Sequence, residues 1–296
     1  MANNPNEEFL PFSRPSISQA AIDEVVACLK SGWITTGPRV KQFEEDMKAY
    51  LGAPHVLALA SATAGLHLVL TALELKPGDE VITTPMTFAA TLNTIVLAGG
   101  RPVLVDVEPG TYNMDVTKIE KAVTPRTRAI MPVHFAGLPV DLDPLYDIAK
   151  KHKLRVIEDA AHAIGTEYKG RRIGGFGDTQ VFSFHPNKNM TTGEGGCVAT
   201  RDEKLASDVA LLRFHGMDRE AWHRFGKKGN QHYEIIAPGY KYNMMDIQAA
   251  LGLHQLKQLD GFIRRRTELA ARYHRILRDW PQWTLTMTPA YKHLHA

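Results

Sequence analysis

Cysteine is scarce in this sequence of 296 residues, and its scarcity argues against a disulfide-rich or zinc-ribbon protein. The two cysteines, Cys28 and Cys197, lie far apart and form no metal-ligand spacing. We therefore predict no metal site. Both side chains are expected to be small buried apolar groups, which is typical of a protein from a reducing compartment.

A large excess of one charge and long apolar runs are also missing. The formal net charge is only +3 at pH 7, and no basic run is interleaved with aromatic residues, so we expect no nucleic-acid binding. No segment resembles a signal peptide, and no apolar run is long enough to span a bilayer. The sequence therefore predicts a cytoplasmic protein without a membrane span.

The middle of the chain alternates between short apolar runs and amphipathic helical patterns. Strand-like runs begin near His55, Glu80, Pro102, Arg128 and Leu154, and helical patterns separate them. This repeated alternation predicts an α/β fold in which helices cover both faces of a mostly parallel sheet.

One lysine stands in an unusual setting within residues 182–196, FSFHPNKNMTTGEGG. Lys188 follows a strand-like run and precedes a glycine-rich segment, where backbone can approach a ligand closely. Burial at a strand end favours the neutral amine, which is the nucleophile that a Schiff base requires. A solvated surface lysine is the simpler alternative when Lys188 is considered alone.

The preceding segments favour the chemical interpretation. Asp159 ends the strand-like run LRVIED, at the position where ligands bind in open α/β sheets. A carboxylate for a pyridinium nitrogen and a lysine for a Schiff base are the protein side of pyridoxal 5'-phosphate (PLP) chemistry. Residues 61–65, SATAG, open a helix and predict an anion site, with an ordinary N-cap as the alternative.

Several motifs together resemble those of the DegT/DnrJ/StrS family of PLP-dependent nucleotide-sugar aminotransferases. They are SGWITTGP at 31–38, SATAG at 61–65, EDAAHA at 158–163, FSFHPNKN at 182–189, TTGEGG at 191–196 and GYKYNMMDIQAALG at 239–252. The N-terminal segments of this chain are most similar to those of enzymes that aminate a UDP-linked 4-keto pentose for lipid A modification.

The resemblance implies an aspartate-aminotransferase-like fold (fold type I) and a homodimer. The implied reaction moves an amino group from glutamate, which becomes 2-oxoglutarate, to a nucleotide-linked keto sugar. Lys188 would carry PLP and move protons, and Asp159 would pair with the ring nitrogen. Further cofactor contacts are implied for His162, Ser183, Ala62, Thr63 and Phe88, and substrate contacts for His185 and Thr35.

One motif departs from the family. Many relatives have asparagine where this chain has Lys241, and that asparagine reaches the cofactor phosphate of the neighbouring subunit. Lys241 or Asn243 is expected to make this contact here, because a lysine can bind a phosphate as a point charge.

The resemblance also divides the chain into two parts. Residues 1–245 would form the large PLP-binding domain, with a partly mobile segment at 1–15. Residues 246–296 would form a linking helix and the start of a small C-terminal domain that is largely absent. We therefore expect this chain to bind PLP but to turn over poorly.

Other functions remain open at this stage. A PLP-dependent sugar dehydratase of the same fold would have histidine in place of Lys188, which argues against that activity. A non-catalytic regulator built on the fold would not need the intact motifs. A nicotinamide enzyme is disfavoured because no G-x-G-x-x-G motif follows a strand.

Overall fold

The computed structural model describes residues 11, 13–218, 234–280 and 293–294. These residues form eight α-helices: α1 (Gln19–Lys30), α2 (Pro38–Leu51), α3 (Ala62–Ala72), α4 (Ala89–Leu97), α5 (Val116–Ala122), α6 (Leu142–His152), α7 (Glu203–Leu212) and α8 (Asp246–Leu277). They also form ten strands: β1 (His55–Leu59), β2 (Glu80–Thr83), β3 (Arg101–Leu104), β4 (Thr127–Ile130), β5 (Arg155–Asp159), β6 (Glu167–Tyr168), β7 (Arg171–Arg172), β8 (Thr179–Ser183), β9 (Gly196–Thr200) and β10 (His293–Leu294).

Seven strands form the central sheet, in the order β1-β9-β8-β5-β4-β2-β3. Neighbouring strands are parallel except at β9, which runs antiparallel to both β1 and β8. The other six strands therefore end at one edge of the sheet, called the carboxyl edge below, and begin at the opposite, amino edge. Strands β6, β7 and β10 form a separate small sheet.

Alternating side chains build a core on each face of the central sheet. Phe182 of β8 packs in a cluster with residues of α2, α5, α6 and α8, whereas its neighbour Val181 packs in a second cluster with α3, α4 and α7. Successive side chains of a strand point to opposite faces, so one short strand serves both layers. The predicted α/β fold, a mostly parallel sheet between helices, is confirmed.

Helix α1 packs against α8 through small side chains and leaves its large apolar ones outside. Ala21 and Cys28 have no exposed surface. Ile22, Val26 and Leu29 follow helical spacing, yet they are 45%, 40% and 53% exposed. The described chain therefore presents an apolar stripe along α1.

Helix α8 caps another helix with its first residue. The fully buried carboxylate of Asp246 accepts hydrogen bonds from the N–H groups of Arg39 and Val40 at 3.2 and 2.9 Å, in the first turn of α2. Gly37, the N-cap of α2, has no side chain for this purpose. Burial raises the pKa of Asp246, and the hydrogen bonds from the backbone of α2 oppose that shift.

The predicted boundary between the two parts of the chain coincides with the start of α8. Helix α8 begins at Asp246, the first residue of the predicted second part, but the division into domains stays a prediction. Of the predicted mobile segment at 1–15, only residues 11 and 13–15 are among the described residues. Near the other end, β10 pairs antiparallel with β6.

Charged hydrogen bonds close the amino edge of the sheet at β2. Glu80, the first residue of β2, has no exposed surface. Its carboxylate accepts hydrogen bonds of 2.6, 2.7 and 2.8 Å from Thr124, Arg101 and Arg126. The two guanidinium groups are themselves largely exposed and shield the carboxylate as a thin layer.

Charged hydrogen bonds to Asp178 close the amino edge in a similar way at the start of β5 and β8. Asp178 precedes β8, and its carboxylate accepts two hydrogen bonds of 2.7 Å from the guanidinium group of Arg155. It also accepts the backbone N–H of Val156 at 3.0 Å. A bidentate pair of this kind fixes the relative position of the two strands.

Candidate active site

The carboxyl edge collects most of the predicted site residues. Asp159 is the last residue of β5, and Ser183 is the last residue of β8. Lys188 lies in the loop that follows β8, and Phe88 lies at the start of α4, after β2. The N-terminus of α3, which follows β1, completes the set.

The N-terminus of α3 leaves backbone donors available. Ser61 caps the helix by accepting the N–H of Ala64 at 3.0 Å. The N–H groups of Ala62 and Thr63 have no acceptor among the residues that the structure describes. Gly196 lies against this turn so closely that a Cβ there would stand 2.5 Å from the nitrogen of Ala62. Two free N–H groups at a helix N-terminus form an anion site.

Ser183 faces the same helix. It pairs with Gly196 of β9, and Gly196 pairs on its other side with Leu59, the last residue of β1. Ser183 shares the face of Val181, which packs in the cluster that includes α3. Its buried hydroxyl therefore lies on the α3 side of the sheet.

Asp159 is nearly buried but retains acceptor capacity. It is 5% exposed, and its Oδ2 accepts the hydroxyl of Thr91 at 2.7 Å. Its Oδ1 accepts the N–H of Ala161 at 3.2 Å. An ionised carboxylate has about four lone-pair sites, so at least one further donor can bind.

Lys188 has the electrostatics expected of a nucleophilic amine. Burial lowers the pKa of Lys188 because it disfavours the ammonium form, and the charge of Asp159 opposes that shift. Its backbone is held on both sides, since its N–H donates to His185 at 2.9 Å and its carbonyl accepts from Arg266 at 3.1 Å.

His162 belongs to the same electrostatic group. Burial lowers the pKa of His162, the charge of Lys188 lowers it further, and the charge of Asp159 raises it. The imidazole therefore favours the neutral form at pH 7, which can accept or donate a hydrogen bond to a ligand hydroxyl. His162 follows β5 and Lys188 follows β8, so both lie at the carboxyl edge with Asp159.

Phe88 offers a free aromatic face at the rim. It occupies the N-cap position of α4 and is 78% exposed. Such exposure of a phenylalanine suits a ring that stacks on a flat ligand.

Two predicted substrate residues are less closely tied to the centre. His185 is exposed, and its Nδ1 lies 2.8 Å from the side-chain oxygen of Asn187. Thr35 is exposed, and its carbonyl accepts the N–H of Asp246 at 3.0 Å. Within the described ranges, no hydrogen bond joins either side chain to Asp159.

Lys241 and Asn243 interact with each other beside the end of β1. The amine of Lys241 donates to the side-chain oxygen of Asn243 at 2.6 Å and lies 4.2 Å from the ring centre of Phe214. Asn243 donates in turn to the hydroxyl of Thr36 and forms an isolated bridge with Leu59. The same short segment therefore carries both candidates for the phosphate contact.

Sequence analysis did not assign a role to Thr91, whose hydroxyl contacts Asp159. Thr91 follows Phe88 by about one helical turn, and it is fully buried. A polar residue on the inward face of an otherwise apolar helix start was the available signal, but its partner is distant in the sequence.

Glu158 has a different environment from its neighbour Asp159. It is fully buried, and its carboxylate accepts hydrogen bonds of 2.6 Å from both Tyr146 and Gln180. The Nε2 of His134 lies 2.8 Å away and donates to it, since the Nδ1 of His134 accepts a backbone N–H. Glu158 is thus fully engaged inside the protein.

Comparison with known proteins identifies the family. The model of the DegT/DnrJ/EryC1/StrS aminotransferase family matches residues 15–296. The chain is 50% identical over 273 residues to the spore coat polysaccharide biosynthesis protein SpsC of Bacillus subtilis (strain 168), covering 92% of this chain and 70% of that protein.

Solved structures of sugar aminotransferases share the fold. One from Streptococcus pneumoniae, described as a sugar aminotransferase in its PLP-form, has a TM-score of 0.89 and 36% identity, covering 97% of this chain and 76% of that one. PseC of Helicobacter pylori, an aminotransferase in pseudoaminic acid biosynthesis, has a TM-score of 0.85 and 36% identity, covering 92% and 71%.

The described residues offer neither a metal site nor a membrane span. No group of three or more His, Cys, Asp or Glu side chains among them is placed to hold a metal ion. Likewise, within those residues, no helix has the length and apolar character needed to cross a membrane.

The residues at the carboxyl edge fit PLP. The free N–H groups of α3 with Ser183 would hold its phosphate, Asp159 would accept its ring N–H, and Lys188 would hold its aldehyde carbon. When bound, the cofactor supplies an electron sink for a carbanion. With this site on this fold, the chain belongs to the DegT/DnrJ/EryC1/StrS aminotransferase family and is a PLP-dependent sugar aminotransferase.

Proposed function

We propose that the chain moves the amino group of L-glutamate to a nucleotide-linked keto sugar, with UDP-linked 4-keto sugars as the acceptor class. Lys188 acts as the base and acid that moves a proton on the substrate carbon, and its lowered pKa suits that task. Asp159 holds the ring proton. His162, Phe88, Ser183 and the α3 N-terminus position the cofactor.

A basic cavity beside Lys188 carries this proposal. It measures about 400 Å³, and its charged lining residues are Lys188, Arg14, Arg265 and Arg266, with no acidic residue in the lining. Glutamate brings carboxylates, and a nucleotide sugar brings a diphosphate. Guanidinium groups bind both kinds of anion. His185 and Thr35 would line the outer part of the substrate path.

The biological setting is proposed from the relatives. SpsC serves spore coat polysaccharide biosynthesis, and PseC serves pseudoaminic acid biosynthesis. Both support a role in making an amino sugar for the cell envelope, and the motif resemblance favours the lipid A branch. The two cysteines are free and buried, which supports the reducing, cytoplasmic compartment predicted from the sequence.

A substrate panel tests the reaction. The protein is incubated with PLP, glutamate and UDP- or dTDP-linked 3-keto and 4-keto sugars, and amino sugar and 2-oxoglutarate are measured by mass spectrometry. We expect slow but measurable turnover with a UDP-linked 4-keto sugar and none with Lys188→Ala. PLP-loaded protein that aminates no sugar in the panel would contradict the proposal, and a deoxygenated product would indicate a dehydratase.

Two arginines of α8 test the role of the cavity. Arg265 lines the basic cavity, whereas Arg264 lines a different one. Losing a charged hydrogen bond costs about 1.5–3 kcal/mol, so Arg265→Ala should raise KM for the nucleotide sugar roughly tenfold or more. Arg264→Ala is the matched control and should leave KM unchanged. Equal KM values in the two variants would contradict an anion subsite here.

We further propose a homodimer with composite sites. The exposed stripe of Ile22, Val26 and Leu29 on α1 supports an interface, because a contiguous apolar surface of this kind favours association. Lys241 is exposed and would reach the cofactor phosphate of the partner, with Asn243 orienting its amine.

Complementation tests the composite site. Lys188→Ala protein is mixed with a Lys241→Ala/Asn243→Ala protein under conditions of demonstrated subunit exchange. Each variant alone should be inactive, and the heterodimer should regain one working site. Recovery of no activity would mean that each site is built from a single chain.

A further inference from the structure

We propose that Thr91 is a positioning residue, which fixes the carboxylate of Asp159 in the orientation that accepts the ring proton of PLP, and that Thr87 supports it. The two threonines and the carboxylate form a chain of hydrogen bonds. Thr87 and Thr91 hydroxyl oxygens are 2.6 Å apart, and the hydroxyl of Thr91 donates to Oδ2 of Asp159 at 2.7 Å.

The direction of this chain follows from proton counting. Each hydroxyl has one proton to donate. Thr91 gives its proton to the carboxylate of Asp159, so the hydroxyl of Thr87 has to be the donor in the contact between the two threonines. The chain therefore runs from Thr87 to Thr91 to Asp159, and each donor strengthens the next one.

Three other helical threonines use their hydroxyl groups differently from Thr91. Threonine within a helix commonly donates to the carbonyl four residues before it. Thr71, Thr94 and Thr267 do so in this protein, at 2.8, 2.8 and 3.0 Å. Thr91 instead directs its hydroxyl across to a strand end that is 68 residues away in the sequence.

Burial makes a hydrogen-bond partner for Thr91 necessary. Thr91 has no exposed surface, and a buried hydroxyl without a partner is unfavourable. The N–H of Ala161 holds Oδ1, so Asp159 is held at both oxygens by fixed groups. Its remaining lone pairs then have one defined direction before the cofactor binds. The helix that presents Phe88 to the ring face thus also orients the carboxylate for the ring nitrogen.

The experiment compares Thr91→Val with Thr91→Ser, Thr87→Val and Thr94→Val. Thr94 is the matched control, because it is a fully buried threonine of the same helix whose hydroxyl bonds only to backbone carbonyls. The readouts are the Kd for PLP, the ¹⁵N resonance of the ring nitrogen of labelled PLP, and the Tm of the apo protein. None requires an amino donor or a sugar.

We expect Thr91→Val to raise Kd about tenfold, the effect of losing one hydrogen bond to a charged group. Its ring ¹⁵N resonance should move from the pyridinium value towards that of neutral pyridine, because an unsupported carboxylate takes up the proton more readily. Thr91→Ser should restore both values, and Thr87→Val should shift both in the same direction as Thr91→Val but by less.

Thr94→Val should lower Tm by as much as Thr91→Val but leave Kd and the resonance unchanged. An unshifted resonance and Kd in Thr91→Val would overturn the proposal. So would an equal shift in Thr94→Val, because a general loosening of α4 would then explain both. If Thr91→Val does not fold, Thr87→Val provides the test. A wild-type ¹⁵N resonance in Thr87→Val would then overturn the proposal.

Discussion

The two edges of the central sheet carry similar residue types in opposite states. At the amino edge, the carboxylates of Glu80 and Asp178 accept four hydrogen bonds each, so they are saturated by protein groups. At the carboxyl edge, Asp159 accepts two, and the N–H groups of Ala62 and Thr63 have no acceptor among the described residues. One edge is complete without a ligand, and the other is not.

The difference distinguishes residues that stabilise the fold from residues that can bind a ligand. A saturated carboxylate contributes to folding and has nothing left for a ligand. A carboxylate or helix end with spare capacity stabilises less but can bind a substrate or cofactor. Glu158 and Asp159 show the same contrast within a single dipeptide, because their side chains lie on opposite faces of β5.

The largest effect should come from Lys188→Ala at the carboxyl edge. Turnover should fall at least about 10⁴-fold, since both the covalent anchor and the proton-transfer group are lost. The stability of the apo protein should not fall, because burial already disfavours the ammonium group. Steady-state assays and thermal unfolding measure the two quantities.

Borohydride labelling serves as the control for that variant. Reduction of wild-type protein should fix the cofactor on the peptide that contains Lys188, and the variant should retain no label. A label on another lysine, or an equally active variant, would contradict the assignment of Lys188.

Asp159→Ala should have the next largest effect. Loss of a preorganised charged partner typically lowers kcat by about 10²–10³-fold. Asp159→Asn, which keeps the size and one acceptor, should be an equally poor enzyme if the charge is required. Single-turnover rates with glutamate give the measurement, and a rate near that of wild type would make Asp159 a structural residue only.

Glu80→Ala, at the amino edge, should lower stability and leave kcat unchanged, the opposite of the effect expected for Lys188→Ala. It removes the acceptor shared by Thr124, Arg101 and Arg126, so the free energy of unfolding should fall by about 1–3 kcal/mol. The kcat of the folded fraction should stay at the wild-type value. Denaturant titration with a parallel assay tests this, and a kcat loss without a stability loss would remove the contrast between the edges.

The smallest effect concerns the acid stability that Glu80 contributes. The hydrogen bond from Thr124, followed by those from Arg126 and Arg101, lowers the pKa of Glu80 from 4.5 to about 2, although burial opposes this. Because the folded pKa is the lower one, the contribution is present above pH 4.5 and is lost as the pH falls towards 2. Glu80→Gln should therefore lose less stability than wild type between these pH values.

Local patterns predicted the sheet and its ligand-binding edge. Alternation of apolar runs with helical spacing indicated the parallel strands, and the glycines and small residues near Lys188 and at 61–65 marked the turns that the structure places together. The turn between β6 and β7 shows the same use of glycine, since Lys169 and Gly170 both have positive φ there.

Features that depend on distant partners could not be predicted in this way. The contact of Thr91 with Asp159 joins residues 68 positions apart, and nothing near Thr91 in the sequence distinguishes it from Thr94. The outward stripe of α1 has the periodicity of a buried one, since spacing shows that a helix has an apolar face but not what covers it.

The position of β9 has a consequence for the synthesis of the chain. Within the central sheet, β1 has β9 as its one neighbour, and β9 also joins it to β8. About 140 residues separate β1 from β9 in the sequence, so at about 5–20 residues per second the ribosome needs roughly 7–28 s to produce the partner of β1. During that interval the apolar strand Val56–Leu59 has an unpaired edge, which is a template for aggregation. Nascent chains stalled before Gly196 should therefore bind a chaperone that recognises extended apolar segments, and chains extended past Thr200 should release it.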